Sequence, residues 1–411
     1  MFNKKEIKKI RKDFPILKKK ILGRKFIYFD NSSTTHKPKC LINSIKHYYY
    51  NYNYNINRNY NYLSTKTTLL IEKTRNIIKR FINAKYNEEI IFTKNTTESI
   101  NLVSKCLDFK QKDEIIITGL EHHSNILPWQ ILYFKKGIKL KIVKINKKYN
   151  INIKEIIKNI NNNTRIISIT HISNVFGTIL PIKYIVKYIK YFFPKILILL
   201  DSAQSIAHMP INVQELNIDF LVFSAHKIYG PTGLGILYGK KEKLKKLKKY
   251  QVGGNMVKDV NFKKTLYLNL PYKFEAGTPN ISAIISFYSV LKYIQKKNIN
   301  NIYIYEKKLL EYTKKLLLKN NNIILYGDNK NKINNSSILT FNVKNISSFD
   351  IGCLLNNYGI YVRTGYHCAQ PLFNILNIKN GSIRLSFGIY NYKKEIKIFY
   401  KYLLLIIKKF L

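Results

Sequence analysis

Residues 220–235 read FLVFSAHKIYGPTGLG. Four apolar residues at 220–223 make a run of strand length. Ser224, His226 and Lys227 follow at once. Gly230, Pro231, Gly233 and Gly235 then break any regular element and let backbone pack closely behind the lysine. A short, wholly apolar run bounded in this way predicts a strand buried on both faces, as in a parallel sheet.

The same pattern recurs three times upstream. Residues 114–118 run into Glu121, His122 and His123. Residues 166–170 run into His171 and Asn174. Residues 195–200 run into Asp201, Ser202, Ala203 and Gln204. Helical patterns lie between these runs, and the alternation predicts an α/β fold with a mostly parallel sheet and crossover helices. In such sheets ligands bind beyond the carboxyl ends of the strands. A single Asp after a strand reads as a helix cap. Four strands that each deliver polar side chains to one edge describe a site.

The chemistry follows from the residue types. Lys227, placed directly after a buried strand, is a candidate Schiff-base former, because partial desolvation lowers the pKa of a lysine. Asp201, at the end of another strand, is the carboxylate that pyridoxal 5′-phosphate (PLP) needs beside its pyridinium nitrogen to act as an electron sink. Residues 93–98, TKNTTE, precede a helical pattern at 99–107. Thr96, Thr97 and the free N–H groups of a helix start suit a phosphate. His123 is the candidate for stacking over the ring.

Residues 361–372, YVRTGYHCAQPL, carry the second signal. Cys368 lies there in a loop bounded by Gly365 and Pro371, with Arg363 and His367 as neighbours, and cationic neighbours favour a nucleophilic thiolate. Of the other three cysteines, Cys106 and Cys353 fall in apolar helical patterns and read as inert core residues, and Cys40 reads as structural at a helix start. With no CxxC pair, neither a disulfide framework nor a structural zinc site is expected, and no metal site is expected. Arg384 sits on a strand pattern, where a fixed guanidinium suits an amino-acid carboxylate.

The 411 residues carry a net charge of +48. That charge invites a nucleic-acid reading. The lysines are spread along the whole chain, however, together with Asn, Ile and Tyr, all encoded by AT-rich codons. Mutational bias therefore explains the charge more simply, and no specific nucleic-acid partner is expected. No apolar run has the length of a membrane span. The basic start, MFNKKEIKKIRKDFP, lacks the apolar core of a secretion signal and reads as a surface helix ending before Pro15. A cytoplasmic location is expected. The organisation predicted is a large cofactor domain over 20–265 and a small domain over 285–411, joined by the N-terminal segment 1–19. Asn-rich patches at 159–163, 320–322 and 329–335 read as surface turns, and 240–249 as a solvated helix face.

At these residues the chain resembles the SufS-type (group II) cysteine desulfurases, fold-type I PLP enzymes related to class V aminotransferases. The stretches that carry the likeness are YFDN at 28–31, EHHSNI at 121–126, FSAHKIYGP at 223–231, FEAGTPN at 274–280, and RTG with HCA at 363–369. The resemblance implies that Lys227 anchors PLP, His123 stacks on its ring and Asp201 pairs with its nitrogen. It puts Asn174 and Gln204 on the phenolic-oxygen side. Thr96, Thr97, Ser224 and His226 would hold the phosphate, with Thr278 supplied by the other subunit of a homodimer. Arg384, with Arg363, Asn174 and Arg58, would bind the substrate L-cysteine, and Cys368 would accept its sulfur as a persulfide for iron–sulfur cluster assembly. Selenocysteine lyase or cysteine sulfinate desulfinase activity is the alternative on the same scaffold.

The chain departs from the family pattern at Tyr366, at Asn57 and Asn61 beside Arg58, and at Val252 in a glycine-rich segment. The short Cys368 loop implies an acceptor protein that comes to it. Phe349 stands where SufU-dependent enzymes tend to carry a His, so a SufE-type acceptor within the SUF system is expected over a zinc-bearing SufU-type one.

Overall fold

The structure is a computed structural model, and it describes residues 2–21, 23–57, 60–146, 149–327 and 335–410. Its centre is a seven-stranded sheet. The strands are β1 (Ile90–Thr93), β2 (Glu114–Thr118), β3 (Lys139–Val143), β4 (Thr164–Thr170), β5 (Leu197–Asp201), β6 (Phe220–Ser224) and β7 (Gly235–Gly239). Their spatial order is β1-β7-β6-β5-β4-β2-β3. Neighbours from β6 across to β3 run parallel, and β7 is antiparallel to both β6 and β1.

Every residue of β2, β5, β6 and β7 is buried. This is why those runs read as continuous apolar stretches rather than alternating ones. The edge strand β3 is half exposed and carries Lys139 and Lys141, a common protection for a sheet edge. Each side chain so buried contributes about 1.5–3 kcal/mol relative to exposure. The strand ends that deliver functional residues are therefore among the most firmly held points of the chain.

A second, antiparallel sheet lies toward the C-terminus. It contains β8 (Ile323–Tyr326), β9 (Ile338–Val343), β10 (Arg363–Gly365) and β11 (Ser382–Ser386), in the order β8-β9-β11-β10. The helices Ile299–Leu317, Ser348–Asn357 and Lys393–Phe410 close a separate core over it, built from Leu309, Leu310, Ile351, Leu355, Phe399 and Leu403 against Phe341 and Leu385.

The N-terminal segment ties the two sheets together. Helix Lys4–Lys12 starts with an Asn3/Glu6 capping box and ends at Asp13, as the sequence predicts. Arg11 pairs with Glu395 of the last helix at 2.9 Å, and Asp13 accepts from Tyr293 Oη at 2.9 Å. Beyond it, Ile27–Tyr28 pairs in parallel with Ile360–Tyr361, and Asp30 bridges to Ser386.

Two expectations change. The helix after β1 is Thr96–Cys106, capped by Asn95, so Thr96 and Thr97 form its first turn instead of preceding it. Asn95 takes the cap because its side chain reaches the Glu98 N–H at 2.9 Å. Cys106 is buried as expected, whereas Cys353 is exposed: its apolar neighbours Ile351 and Leu355 face the core and it does not.

Candidate active site

A cavity of about 270 Å³ opens at the carboxyl ends of β4, β5 and β6. β6 ends in Ser224 and turns through the short 3₁₀ segment Ala225–Lys227, which puts Lys227 in the cavity wall. Burial lowers the Lys227 amine to about 8. The Asp201 charge opposes that shift, and Arg384 and Arg363 add to it. A lysine in this range has an appreciable neutral, nucleophilic fraction at physiological pH. β5 ends in Asp201, whose Oδ1 accepts from Ala203 N–H at 2.9 Å and whose carboxyl is raised by burial. Gln204 lines the same wall and donates to the Ser32 carbonyl at 3.1 Å.

The turn after β2 corrects one assignment. The histidine that lines the cavity is His122, not His123. His122 has extended backbone, and its Nδ1 accepts from Ser124 N–H at 3.1 Å. His123 starts the following 3₁₀ turn and aims elsewhere: its Nε2 accepts from Gln370 N–H at 3.0 Å, and its own N–H donates to the Cys368 carbonyl at 2.8 Å. Burial, with Lys227 next, pushes His122 down to about 3, so its imidazole is a neutral ring. Behind it, Glu121 accepts from Thr118 Oγ1, from Asn125 Nδ2 at 2.6 Å and from Thr170 N–H at 3.1 Å. Glu121 thus ties the ends of β2 and β4 together, and burial pushes its carboxyl up to about 8.

At the other end of the cavity the first turn of helix Thr96–Cys106 faces Ser224 and His226. Ser224 Oγ accepts from Thr96 N–H at 2.8 Å and meets Thr96 Oγ1 at 2.8 Å, and Thr97 Oγ1 meets Ser124 Oγ at 2.8 Å. Close packing makes this possible. A Cβ on Gly235, where β7 begins, would lie 2.5 Å from Asn95 backbone atoms, so only glycine lets β7 pass behind the turn. Burial, with Lys227 and Lys37, lowers His226 to about 4. Thr278 is exposed and does not line the cavity of its own chain; Asn55 Nδ2 approaches its hydroxyl at 3.5 Å. Arg58 lies outside the described residues.

The Cys368 loop closes the cavity from the second sheet. His367 and Cys368 both have positive φ, 50° and 57°. His367 is buried, its Nε2 meets Ser382 Oγ at 3.0 Å, and burial lowers its pKa well below the usual range. His367 is therefore a neutral packing group, not the cationic neighbour that adjacency to Cys368 suggested. Arg363 is the cation bonded to the thiol: Nη2 donates to Cys368 Sγ at 3.2 Å and Nη1 to Ser33 Oγ at 2.8 Å. Arg384 is buried and reaches the cavity, where Nη2 pairs with Asp30 at 2.9 Å and Nη1 donates to the Asn174 carbonyl at 2.9 Å. Asn174 lines the cavity too, with its Nδ2 given to the His367 carbonyl at 2.7 Å. Ser32, Ser33 and Asp30 complete this corner. Their contacts to Arg363, Arg384 and Ser386 span more than 300 residues, so no local pattern announces them.

The wall fits PLP by its donor set. It offers a nucleophilic lysine, a buried carboxylate, a neutral aromatic ring and a helix start rich in hydroxyls. In the same wall Ser32 Oγ and Arg384 Nε are buried without hydrogen-bond partners among the described residues, which is costly unless a ligand satisfies them. Among the described residues no group of three or more His, Cys, Asp or Glu side chains could hold a metal ion, and no helix is long and apolar enough to cross a membrane.

Known proteins of the same shape exist. The aminotransferase class-V family profile matches residues 27–399. A cysteine desulfurase of Wigglesworthia glossinidia brevipalpis is 43% identical over 409 residues, covering 98% of each chain. One of Synechococcus elongatus is 40% identical over 395 residues, and there the alignment spans 62% of the relative's length. The apo structure of a cysteine desulfurase from Thermococcus onnurineus superposes with a TM-score of 0.92 at 35% identity, over 100% of this chain and 99% of the other. These likenesses run through both sheets and the loop between them, so the fold is that of fold-type I PLP enzymes.

Proposed function

The chain belongs to the aminotransferase class-V family and is a PLP-dependent cysteine desulfurase; from this we propose that it is one of the SufS type (group II), supplying sulfur from L-cysteine for iron–sulfur cluster assembly. The observation that carries the reading is the convergence of Lys227, Asp201 and the Arg363-bonded Cys368 on a single cavity: Lys227 and Asp201 line it, and Cys368 is joined to it through Arg363.

When bound, PLP supplies an electron sink for charge developing at the substrate's α-carbon. Lys227 would anchor it through its amine, and Asp201 would pair with its ring nitrogen. Thr96, Thr97, Ser224 and His226 would hold its phosphate, Gln204 and Asn174 would serve its phenolic oxygen, and His122 would offer its ring a neutral aromatic neighbour. Lys227 Nζ moves the α-proton. Arg384 and Arg363 orient the substrate carboxylate, joined by Arg58. Cys368 Sγ attacks the substrate sulfur; an S–S bond forms as the Cβ–S bond breaks, and the remaining three carbons leave as L-alanine after protonation.

The active form is proposed to be a cytoplasmic homodimer in which the partner's copy of the exposed Thr278 completes the phosphate site. The acceptor is proposed to be a SufE-type protein. Phe349, in the first turn of helix Ser348–Asn357, is 66% exposed and offers no lone pair to a metal.

The test is release of alanine from L-cysteine with persulfide on Cys368, followed by transfer to SufE-type and SufU-type acceptors at matched concentrations. Alanine without persulfide on Cys368 would refute the mechanism. Stimulation by the zinc-bearing acceptor alone would refute the choice of partner.

A further inference from the structure

The segment Thr34–Lys37 lies far from Lys227 in sequence yet grips the turn that carries it. The carbonyl oxygen of His226, one residue before Lys227, accepts from Thr35 N–H at 3.1 Å, Thr35 Oγ1 at 3.0 Å, Thr34 Oγ1 at 3.3 Å and Lys37 Nζ at 3.0 Å. On the far side of Lys227, Tyr229 N–H donates to the same Thr35 Oγ1 at 2.7 Å. The His226–Lys227 peptide before Lys227 and the Ile228–Tyr229 peptide beyond it are thus joined through one threonine hydroxyl, and Lys37 fixes that hydroxyl's loop in turn. Its three N–H donors meet three oxygens: the His226 carbonyl, the Thr35 carbonyl at 2.7 Å and Thr34 Oγ1 at 3.4 Å.

The turn needs such a grip. Tyr229 has φ +61°, a left-handed conformation that a bulky residue adopts only when its surroundings impose it. A Cβ on the next residue, Gly230, would lie 2.6 Å from the Ala225 carbonyl oxygen, so the chain folds back tightly there. Lys37 is itself anomalous. It is partly buried, and among the described residues no carboxylate pairs with it. Burial lowers its amine to about 7. Burying a lysine without a counter-ion is expensive for stability alone, and its hydrogen bonds go to the Lys227 turn and to the loop that grips it.

We propose that Lys37 is a positioning residue of the desulfurase reaction, clamping the His226 carbonyl through the Thr34–Thr35 loop so that the Lys227 amine is held where it must transfer a proton. This rests on the reading of Lys227 as the cofactor's anchor. Misplacing a reacting group by about 1 Å costs roughly a hundredfold in rate, whereas substrate contacts through Arg363 and Arg384 are untouched by Lys37.

The experiment compares wild-type holoenzyme with Lys37→Met, Lys37→Arg and Thr35→Val. It reads kcat per bound cofactor, KM for L-cysteine, the visible absorbance of the bound cofactor and the melting temperature. For Lys37→Met, kcat per bound cofactor falls at least about tenfold with KM within about twofold, and the visible band broadens; Lys37→Arg, which keeps a cationic donor, recovers most of the rate. An unaltered kcat per bound cofactor in Lys37→Met, however far the melting temperature drops, would overturn the proposal. So would a Lys37→Arg variant as slow as Lys37→Met. If Lys37→Met does not fold, Thr35→Val is read by the same criterion, since it removes the hydroxyl that joins both sides of the turn. A colourless, inactive wild-type protein would instead sink the reading of Lys227 itself, which separates the two failures.

Discussion

Arg363 Nη2 donates to Cys368 Sγ at 3.2 Å, while Nη1 of the same guanidinium donates to Ser33 Oγ at 2.8 Å. Ser33 in turn donates to Asp30 Oδ1 at 2.8 Å and receives Arg384 Nη2 at 3.1 Å. The thiol proposed to accept sulfur and the guanidinium proposed for the substrate carboxylate are thus linked through one serine hydroxyl, so a shift of the loop would be felt at the proposed substrate site.

The first prediction follows from that link. Arg363→Met removes a charge-assisted hydrogen bond to sulfur, worth about 1.5–3 kcal/mol. Alkylation of Cys368 by iodoacetamide at pH 7 should slow by about tenfold or more, with Cys106 and Cys353 unaffected. Site-resolved mass spectrometry reads each thiol. Equal rates at Cys368 in the two proteins would show that Arg363 does not activate it.

His122 and His123 provide the second. Only His122 lines the cavity, whereas His123 is bonded to the Cys368 loop. His122→Ala should lower kcat by roughly a hundredfold and alter the visible spectrum, because the cofactor loses its covering ring. His123→Ala should leave the spectrum intact and act on sulfur transfer through the loop. The reverse assignment of the two effects would restore His123 as the stacking residue.

These two histidines also mark how far the sequence could be read. The four strand ends were legible because an unbroken apolar run followed by polar residues has few explanations. Lys227, Asp201, Asn174 and Gln204 all follow such runs, and all four line the cavity. Choosing between adjacent histidines was not possible: which one faces the cavity depends on a backbone turn set by Glu121 and Ser124, not on residue type. Asp30 stands in the stretch quoted at 28–31, but the corner it makes with Ser32 and Ser33 is not legible there, for another reason. It forms only when the N-terminal segment is laid beside β11, and no periodic pattern announces a contact between residues 30 and 384. Cys353 misled because apolar neighbours on a helix say where the stripe faces, not where each residue within it points.

Glu121 gives a pH prediction. Its carboxyl is raised by burial to about 8 in the folded protein, while in the unfolded chain it titrates in the usual carboxylate range. Between those limits the folded state holds one more proton than the unfolded state, so stability falls as pH rises through that window. Asp201, also raised by burial, contributes with the same sign. Glu121→Gln removes the Glu121 part and should flatten the dependence by at most about 1.4 kcal/mol per pH unit. Urea midpoints of the cofactor-free proteins from pH 5 to pH 8 measure it. Parallel curves for wild type and variant would show that Glu121 is ionised throughout.

Asp201 and Lys227 face each other with opposite effects, and separating them yields the last prediction. Burial lowers the Lys227 amine, and the Asp201 charge is the largest influence holding it up. Asp201→Asn removes that charge while keeping the size of the side chain and its acceptor for Ala203 N–H. The Lys227 amine should then titrate below about 8, so a larger fraction is neutral at pH 7. Cofactor-free Asp201→Asn should capture added PLP faster than wild type at that pH, followed as the growth of the visible band. Turnover should move the other way, falling by roughly a thousandfold, because an amide cannot keep the ring nitrogen protonated and the electron sink is lost. A merely damaged pocket would slow both steps. Faster capture with lost turnover is the signature of a carboxylate that acts on the lysine before the cofactor arrives and on the ring afterwards. Slower capture, or an upward shift of the Lys227 titration, would show that Asp201 does not set the charge state of Lys227.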